Sequence, residues 1–289
     1  MISLPAISIS RSLREGLDTT PLALRVLAVF RNACILMASD GRICALVSRD
    51  IGAGPLNIVL DTALPQALLP AVGAAASITR LRLILGQLAV DLTGPTYDSR
   101  PDWQNLRGRY PLVRSRAPAL LQLARQSVGA RGLLALLEPT PPAVPPFNTF
   151  REVLQQLPGG QAWPPEAVAP IAARLAGLGS GLTPAGDDWL AGMLLWVWLA
   201  HPQPQEVGAR VVAAAAPRTT ALAAAFLRCA AQGECDVAWQ ELLNALAAEH
   251  PVAIETALAA ALAHGATSGA DRLAGFLYPL LRADDGDPT

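Results

Sequence analysis

The chain has 289 residues, 52% of them hydrophobic and only 16% charged, with a formal net charge of -1, a length that admits two domains or one large one. That balance, without a basic aromatic run, argues against a nucleic-acid partner. The richest apolar run, Leu190 to Leu199, falls short of the ~20 residues a bilayer crossing needs, so no membrane span is expected. No charged start with a long apolar segment precedes Arg11, and Cys34, Cys44, Cys229 and Cys235 lack metal-site spacing. A cytoplasmic protein with reduced thiols is the expectation.

Up to about Pro95 the pattern predicts strands and tight turns. Val26 to Met37 reads as one apolar stretch, and Asp40-Gly41 as a hairpin turn into Ile43 to Val47. Asn57 to Leu60, Ile78 to Leu85 and Gln87 to Leu92 read as further strands, the alternation of Ile78 to Leu85 being too imperfect to set its register. Gly94 to Trp103, followed by Arg107 and Arg109, has two readings. The arginines and Tyr97 and Trp103 could close over an anionic substrate, since guanidinium forks match carboxylate or phosphate geometry. Alternatively the arginines pair elsewhere and the aromatics seal a junction, and this plainer reading is preferred.

From Leu112 the period is helical, with Leu120, Leu121, Leu123 and Ala124 on one face and a short helix over Leu133 to Leu137. The proline-rich stretch Pro139 to Pro146 is a linker or an extended strap. A helix capped by Asn148 or Thr149 reaches Leu157, and another runs from Glu166 to Ala176. Beyond His201 come five more, about Glu206 to Ala216, Thr220 to Ala231, Val237 to Ala248, Val252 to Ala263 and Gly269 to Leu281. The expected fold is α+β: a small, mostly antiparallel β domain (1–110), able to curl into a barrel, a helical and proline-rich connection (111–165), and a larger all-helical domain (166–289).

The chemistry concentrates in Gly177-Leu178-Gly179-Ser180-Gly181-Leu182-Thr183-Pro184-Ala185-Gly186-Asp187-Asp188. Alternating glycines bring backbone N–H groups close to a guest, and a helix starting near Ala185 adds unpaired donors, so an anion is the natural guest. Asp187 and Asp188 would repel it unless they hold a cation, an amide or a proton. The plainer alternative is a buried turn with Thr183 as helix cap, Pro184 as first helical residue and Asp187 in the first turn. Neither a Walker A loop nor a dinucleotide fingerprint is present.

Gly186-Asp187-Asp188-Trp189-Leu190-Ala191-Gly192-Met193-Leu194 is echoed by Gly269-Ala270-Asp271-Arg272-Leu273-Ala274-Gly275-Phe276-Leu277. If the two helices meet at their N-termini, Asp188 and Asp271 share a cavity, and Gly192 and Gly275 let the helices cross closely. Chance likeness in an alanine-rich chain is the competing account. Ser180, Thr183, Thr267 and Ser268 are candidate hydroxyl ligands or caps, with Gly179, Gly181, Gly186 and Gly269 as backbone donors. Thr219 and Thr220 begin another helix, with Arg218 as the nearest cation. His264 is the histidine best placed to bind an anion or shuttle a proton; His201 and His250 read as ordinary helix-end residues. Asp187, Asp188 and Asp271 are also the candidate metal ligands, for Mg²⁺, and no organic cofactor is indicated.

The run from Gly179 to Asp188 resembles the hallmark of a bacterial family whose best-known member is the AllH subunit associated with oxamate carbamoyltransferase. His264-Gly265 and Ser268-Gly269-Ala270-Asp271 match it too, and Gly54 to Val59 more loosely. The resemblance implies a place in purine or ureide catabolism, in a system that interconverts oxalurate and phosphate with oxamate and carbamoyl phosphate. It implies a subunit or enzyme of carbamoyl-transfer type acting on a ureide or small carboxylate, working by positioning and electrostatics. Its partners would be a small anion and either copies of itself or other subunits. A non-catalytic anion-binding, regulatory or scaffold subunit is the alternative. Ala223 stands where the family carries a serine after a threonine pair, a departure from the pattern.

Overall fold

The structure is a computed structural model; it describes all residues except 143, 145, 146, 159–162, 250–252 and 283–289. His250, part of the proline-rich stretch and the polar residues Asp284 to Thr289 therefore lie outside the described residues. The chain forms two compact units, Met1–Pro101 with Cys235–Val237, and Asp102–Glu234 with Ala238–Thr289.

The first unit contains β1 (Ile2–Ser10), a one-turn helix α1 (Arg11–Glu15), β2 (Leu22–Val29), β3 (Ala33–Ala38), β4 (Ile43–Ser48), β5 (Asn57–Leu60), β6 (Ala75–Ile78), β7 (Arg82–Leu85), β8 (Leu88–Asp91) and β9 (Thr96–Tyr97). Neighbours run β5-β4-β3-β2-β6-β7-β8-β1, and β1 pairs back to β5, closing an eight-stranded barrel with β9 appended to β1. The barrel is mostly antiparallel, as expected; β4–β5 and β1–β8 are its parallel pairings. β1 makes the closure. Its residues 2–5 pair with β8, its residues 6–9 with β5, and a register shift between Ala6 and Ser8 bends it from one partner to the other. The interior is filled by Ile9, Leu36, Leu46, Ile58, Leu60, Ile78 and Leu83.

The apolar stretch Val26 to Met37 contributes to both β2 and β3, the chain reversing at residues 30–32 between them. One strand reading is corrected. Ile78 to Leu85 is a hairpin, because the Thr79 hydroxyl accepts from the amides of Leu81 and Arg82 at 3.3 and 3.1 Å and turns the chain. Ile78 thus pairs with Leu83, and both enter the core.

The second unit comprises α2 (Trp103–Gly108), α3 (Tyr110–Val128), a 3₁₀ turn (Gly132–Leu137), α4 (Phe147–Leu154), α5 (Pro165–Leu175), α6 (Ala185–Ala200), α7 (Pro204–Ala215), α8 (Ala221–Ala231), α9 (Val237–Ala247), α10 (Ile254–Leu262) and α11 (Ser268–Arg282). Among the described residues no helix is long and apolar enough to cross a membrane. α6 is the central element: Trp189, Leu190, Met193, Leu194, Trp196 and Val197 are fully enclosed, spanning all its faces.

α6 packs on α11 through the two predicted glycines, reciprocally. A Cβ on Gly192 would fall on the Arg272 carbonyl, and one on Gly275 on the Trp189 carbonyl. Trp189 and Arg272 occupy the same place in the two motifs. The same reciprocity holds one step earlier: Gly186 lies against the Leu175 carbonyl at the end of α5, and Gly269 against Ala261 and Leu262 at the end of α10. The sequence echo is therefore two helix–glycine loop–helix pairs, α5–α6 and α10–α11, crossed through their second helices.

Of the plainer reading, the pairing of an arginine with an acid holds for Arg109, while Arg107 is engaged by a carbonyl. The Arg107 Nε donates to the Trp198 carbonyl at 2.8 Å, Arg109 pairs with Glu249 at 3.2 Å, and the buried Trp103 indole donates to Gly233 at 2.9 Å. His201 is buried; its Nδ1 accepts from the Gln203 amide, so Nε2 donates to the Trp163 carbonyl at 2.8 Å.

Candidate functional site

The loop between α5 and α6 is exposed at Gly179, Ser180 and Gly181. Gly177, Gly179 and Gly181 adopt φ of 71°, 123° and 91°, the left-handed region open to glycine. The loop is pinned at both ends, by the Leu178 amide on the Leu175 carbonyl and the Gly186 amide on the Leu178 carbonyl. Between those pins, the amides of residues 179–183 make no hydrogen bond among the described residues. Successive free N–H groups on a backbone that alternates hand form an anion-binding concavity. Thr183 does not cap α6, whose N-cap is Pro184 without a side-chain bond. Its hydroxyl instead meets the Ser268 hydroxyl at 3.0 Å.

That contact joins the two motifs. The second loop turns at Gly265 (φ 63°), and its end is fixed by the Gly269 amide on the His264 carbonyl and the Asp271 amide on the Thr267 carbonyl. Thr267 is exposed, and His264 is half-buried with its Nδ1 lacking a partner.

Three carboxyl groups sit beneath the loops. Asp187, 2% exposed, accepts at Oδ2 from the Gly177 amide (3.0 Å) and the Thr219 hydroxyl (2.6 Å). Asp271, 1% exposed, accepts at Oδ1 from the Leu133 amide at 2.6 Å, and Gly132 is held to glycine because a Cβ there would strike the same oxygen. Asp188 is half-buried. Asp187 Oδ1, Asp188 Oδ2 and Asp271 Oδ2 are all buried without a hydrogen-bond partner. Burial raises all three acids. For Asp188 it acts with the charges of Asp271 and Asp187, against the Ser268 hydroxyl and Arg272, and the carboxyl is pushed up to about 7. The Thr219 and Gly177 donors oppose the shift at Asp187, as the Leu133 amide and the Thr267 hydroxyl do at Asp271.

Other predicted residues are placed differently. Thr220 caps α8, accepting from the Ala223 amide at 3.0 Å and donating to the Leu182 carbonyl at 2.5 Å, so it braces the first loop from behind. Arg218 is exposed and donates to the Ala214 carbonyl at 2.8 Å, satisfying the end of α7 rather than turning to the loops. Ser180 lies on the exposed rim. Among the described residues no group of three or more His, Cys, Asp or Glu is arranged to hold a metal ion. Asp187 and Asp271 each have one carboxyl oxygen engaged by backbone or hydroxyl donors, while the other oxygen has no partner.

Sequence reasoning missed Arg272 and the amides of Gly177 and Leu133. Arg272 is half-buried beside Asp188, its guanidinium 5.1 Å over the Trp239 ring. The one signal for it was its place directly after Asp271 in the second motif.

Fold and site together define a protein with a closed β-barrel unit and a helical unit in which two glycine-loop helices with acidic first turns meet. Residues 175–280, from the end of α5 through most of α11, match the family model described as oxamate carbamoyltransferase subunit AllH, and the resemblance read from the loop motif is borne out over that segment. No solved structure was found to match the chain.

Proposed function

We propose that the paired loops bind a small anion, phosphate or carbamoyl phosphate, and that the protein serves carbamoyl transfer to or from a ureide or small carboxylate as one subunit of a larger assembly. The observation that carries this reading is the run of unengaged amides at residues 179–183, tied to the second motif by Thr183 and Ser268. The family described for residues 175–280 supplies the reaction class.

The carboxylates no longer contradict an anionic guest. An acid raised to about 7 carries a proton for much of the time near neutral pH, so Asp188 can donate to the guest instead of repelling it. The loop amides orient the anion, the helix N-termini stabilise charge that develops on it, and no protein nucleophile is required. Mg²⁺ is expected only as a companion of the anion. A non-catalytic, anion-binding or scaffold subunit is the second reading, and the reciprocal glycine packing of α6 and α11 favours its structural part.

Isothermal titration with phosphate and carbamoyl phosphate, with and without Mg²⁺, tests the reading on the wild type and on Gly181→Ala. An added Cβ at Gly181 meets nothing within 4 Å, so this variant disturbs only the backbone conformation of the loop. Saturable binding that weakens about tenfold or more in the variant is expected. Absence of binding by the folded wild type would sink the preformed anion site.

A further inference from the structure

We propose that Arg131 is the side chain that grips the anion at the paired loops, a guanidinium set at the rim of the second loop by the turn that Asp271 anchors. The inference rests on the anion-site reading above and adds to it a ligand-contacting residue from a third segment of the helical unit.

The place of Arg131 follows from backbone contacts. After α3 the chain passes through Gly129, Ala130 and Arg131, all exposed, and enters the 3₁₀ turn at Gly132. The Leu133 amide donates to Asp271 Oδ1 at 2.6 Å, which ties the start of this turn to the first turn of α11. Gly132 lies so close that a Cβ there would strike the same carboxyl oxygen and come within 3.3 Å of the Thr267 Cβ. Arg131, the residue immediately before, therefore stands beside the second loop. Thr267 is exposed, and the next residue, Ser268, meets Thr183 of the first loop at 3.0 Å. Two glycine loops and the stretch 131–133 thus converge.

The charge of Arg131 is available. The residue is exposed on an extended backbone (φ -65°, ψ 137°), and among the described residues its side chain makes no hydrogen bond or ion pair. Its neighbours are engaged elsewhere. Glu138, at the far end of the 3₁₀ turn, pairs with Arg125 at 2.9 Å, and Arg125 also donates to the Leu137 carbonyl at 2.7 Å. Arg218 is turned to the Ala214 carbonyl. Asp271 is 1% exposed and takes the Leu133 amide instead of an arginine. A guanidinium presents its donors as a planar fork that meets two oxygens of one phosphate at once, leaving the amides of residues 179–183 for the others. Such a contact is made at the guest itself and does not depend on outweighing the acids beneath the loops.

The experiment titrates inorganic phosphate into the full chain at several NaCl concentrations, for the wild type, Arg131→Gln, Arg131→Lys and Arg80→Gln. The Arg131 Nε–H resonance of the wild type is followed in the same titration. Arg80 lies exposed on the turn between β6 and β7, so its variant removes the same charge from the barrel unit. Arg131→Gln is expected to weaken phosphate about tenfold or more and to flatten the salt dependence. Arg131→Lys keeps the charge but loses the fork, and should weaken it about three- to tenfold. Arg80→Gln should stay within about twofold of wild type, being remote from the contact. The Nε–H should shift with the affinity of the loop amides. Wild-type affinity in Arg131→Gln, equal weakening in Arg80→Gln, or an Nε–H that stays still while the loop amides respond, overturns the inference. The wild-type resonance decides the matter even if a variant fails to fold. A wild type that binds no phosphate removes the anion site and this contact with it, a result distinct from loop amides that bind without Arg131.

Discussion

The α5–α6 and α10–α11 pairs share a motif and a crossing, yet their acids divide the work differently. In the sequence echo Asp188 corresponds to Asp271. In space it is Asp187 that behaves like Asp271, each being a buried acid that ties its helix start to a backbone amide, of Gly177 and Leu133 respectively. Asp188 is left over, half-buried, with an unpartnered oxygen and a carboxyl raised to about 7. The loops differ too: the first has three left-handed glycines and a row of unengaged amides, the second a single left-handed glycine, Gly265. One architectural unit used twice thus gives one loop with a row of unengaged amides and another whose Ser268 hydroxyl meets Thr183.

The largest expected effect tests the crossing itself. Gly192→Ala or Gly275→Ala would force α6 and α11 apart at a backbone carbonyl and should destabilise by about 3 kcal/mol or more, read by urea denaturation. Comparable stability of either variant would mean that the helices are not seated glycine on carbonyl.

Next come the bracing acids. Asp187→Ala strands the Gly177 amide and the Thr219 hydroxyl and is expected to cost about 2–3 kcal/mol. Asp271→Ala should cost a similar amount through the Leu133 amide. If Asp188→Ala were instead the more damaging change, the division of roles drawn above would be wrong.

Asp188 carries the pH signature. Its folded pKa lies above its unfolded value, so the folded state holds a proton that the unfolded chain gives up. Its contribution is complete below about pH 4 and is lost as pH rises toward about 7. Asn mimics the protonated acid without this loss. Asp188→Asn should therefore match the wild type near pH 4 and exceed its stability above pH 8, by up to about 4 kcal/mol. A constant difference across that range would show that Asp188 titrates normally.

Smallest is the bridge between loops. Ser268→Ala removes one partner of Thr183 and is expected to cost about 1 kcal/mol or less, with a larger proportional loss of phosphate affinity. Equal phosphate affinity in the two proteins would separate the second loop from the site.

Much of this was legible in the chain. Apolar periodicity located the helices from α5 to α11, and the echo with its paired glycines announced the crossing, since glycine inside a helix requires a reason to be there. Barrel closure was not legible, because it depends on β1 pairing with strands far along the chain and on a register shift at Ala6 and Ser8. β1 also carries Pro5, and its burial follows no two-residue period. Ile78 to Leu85 misled because its turn lies inside a short run whose two ends both belong to strands; the Thr79 hydroxyl marks the turn. In the site, adjacent carboxylates such as Asp187 and Asp188 look equivalent until burial and partners separate them. The Leu133 amide lies 138 residues from Asp271, a distance no local pattern bridges. Arg218, a candidate by proximity for which the surface reading was preferred, is exposed and satisfies the open end of its own helix.

The claim that the two loops form one anion site is tested most directly by following backbone amide resonances of the wild type during phosphate titration. The account predicts saturable shifts concentrated at residues 179–183 and at Ser268, with one shared affinity. Shifts scattered over the surface, or saturating in the first loop with none at Ser268, would contradict it.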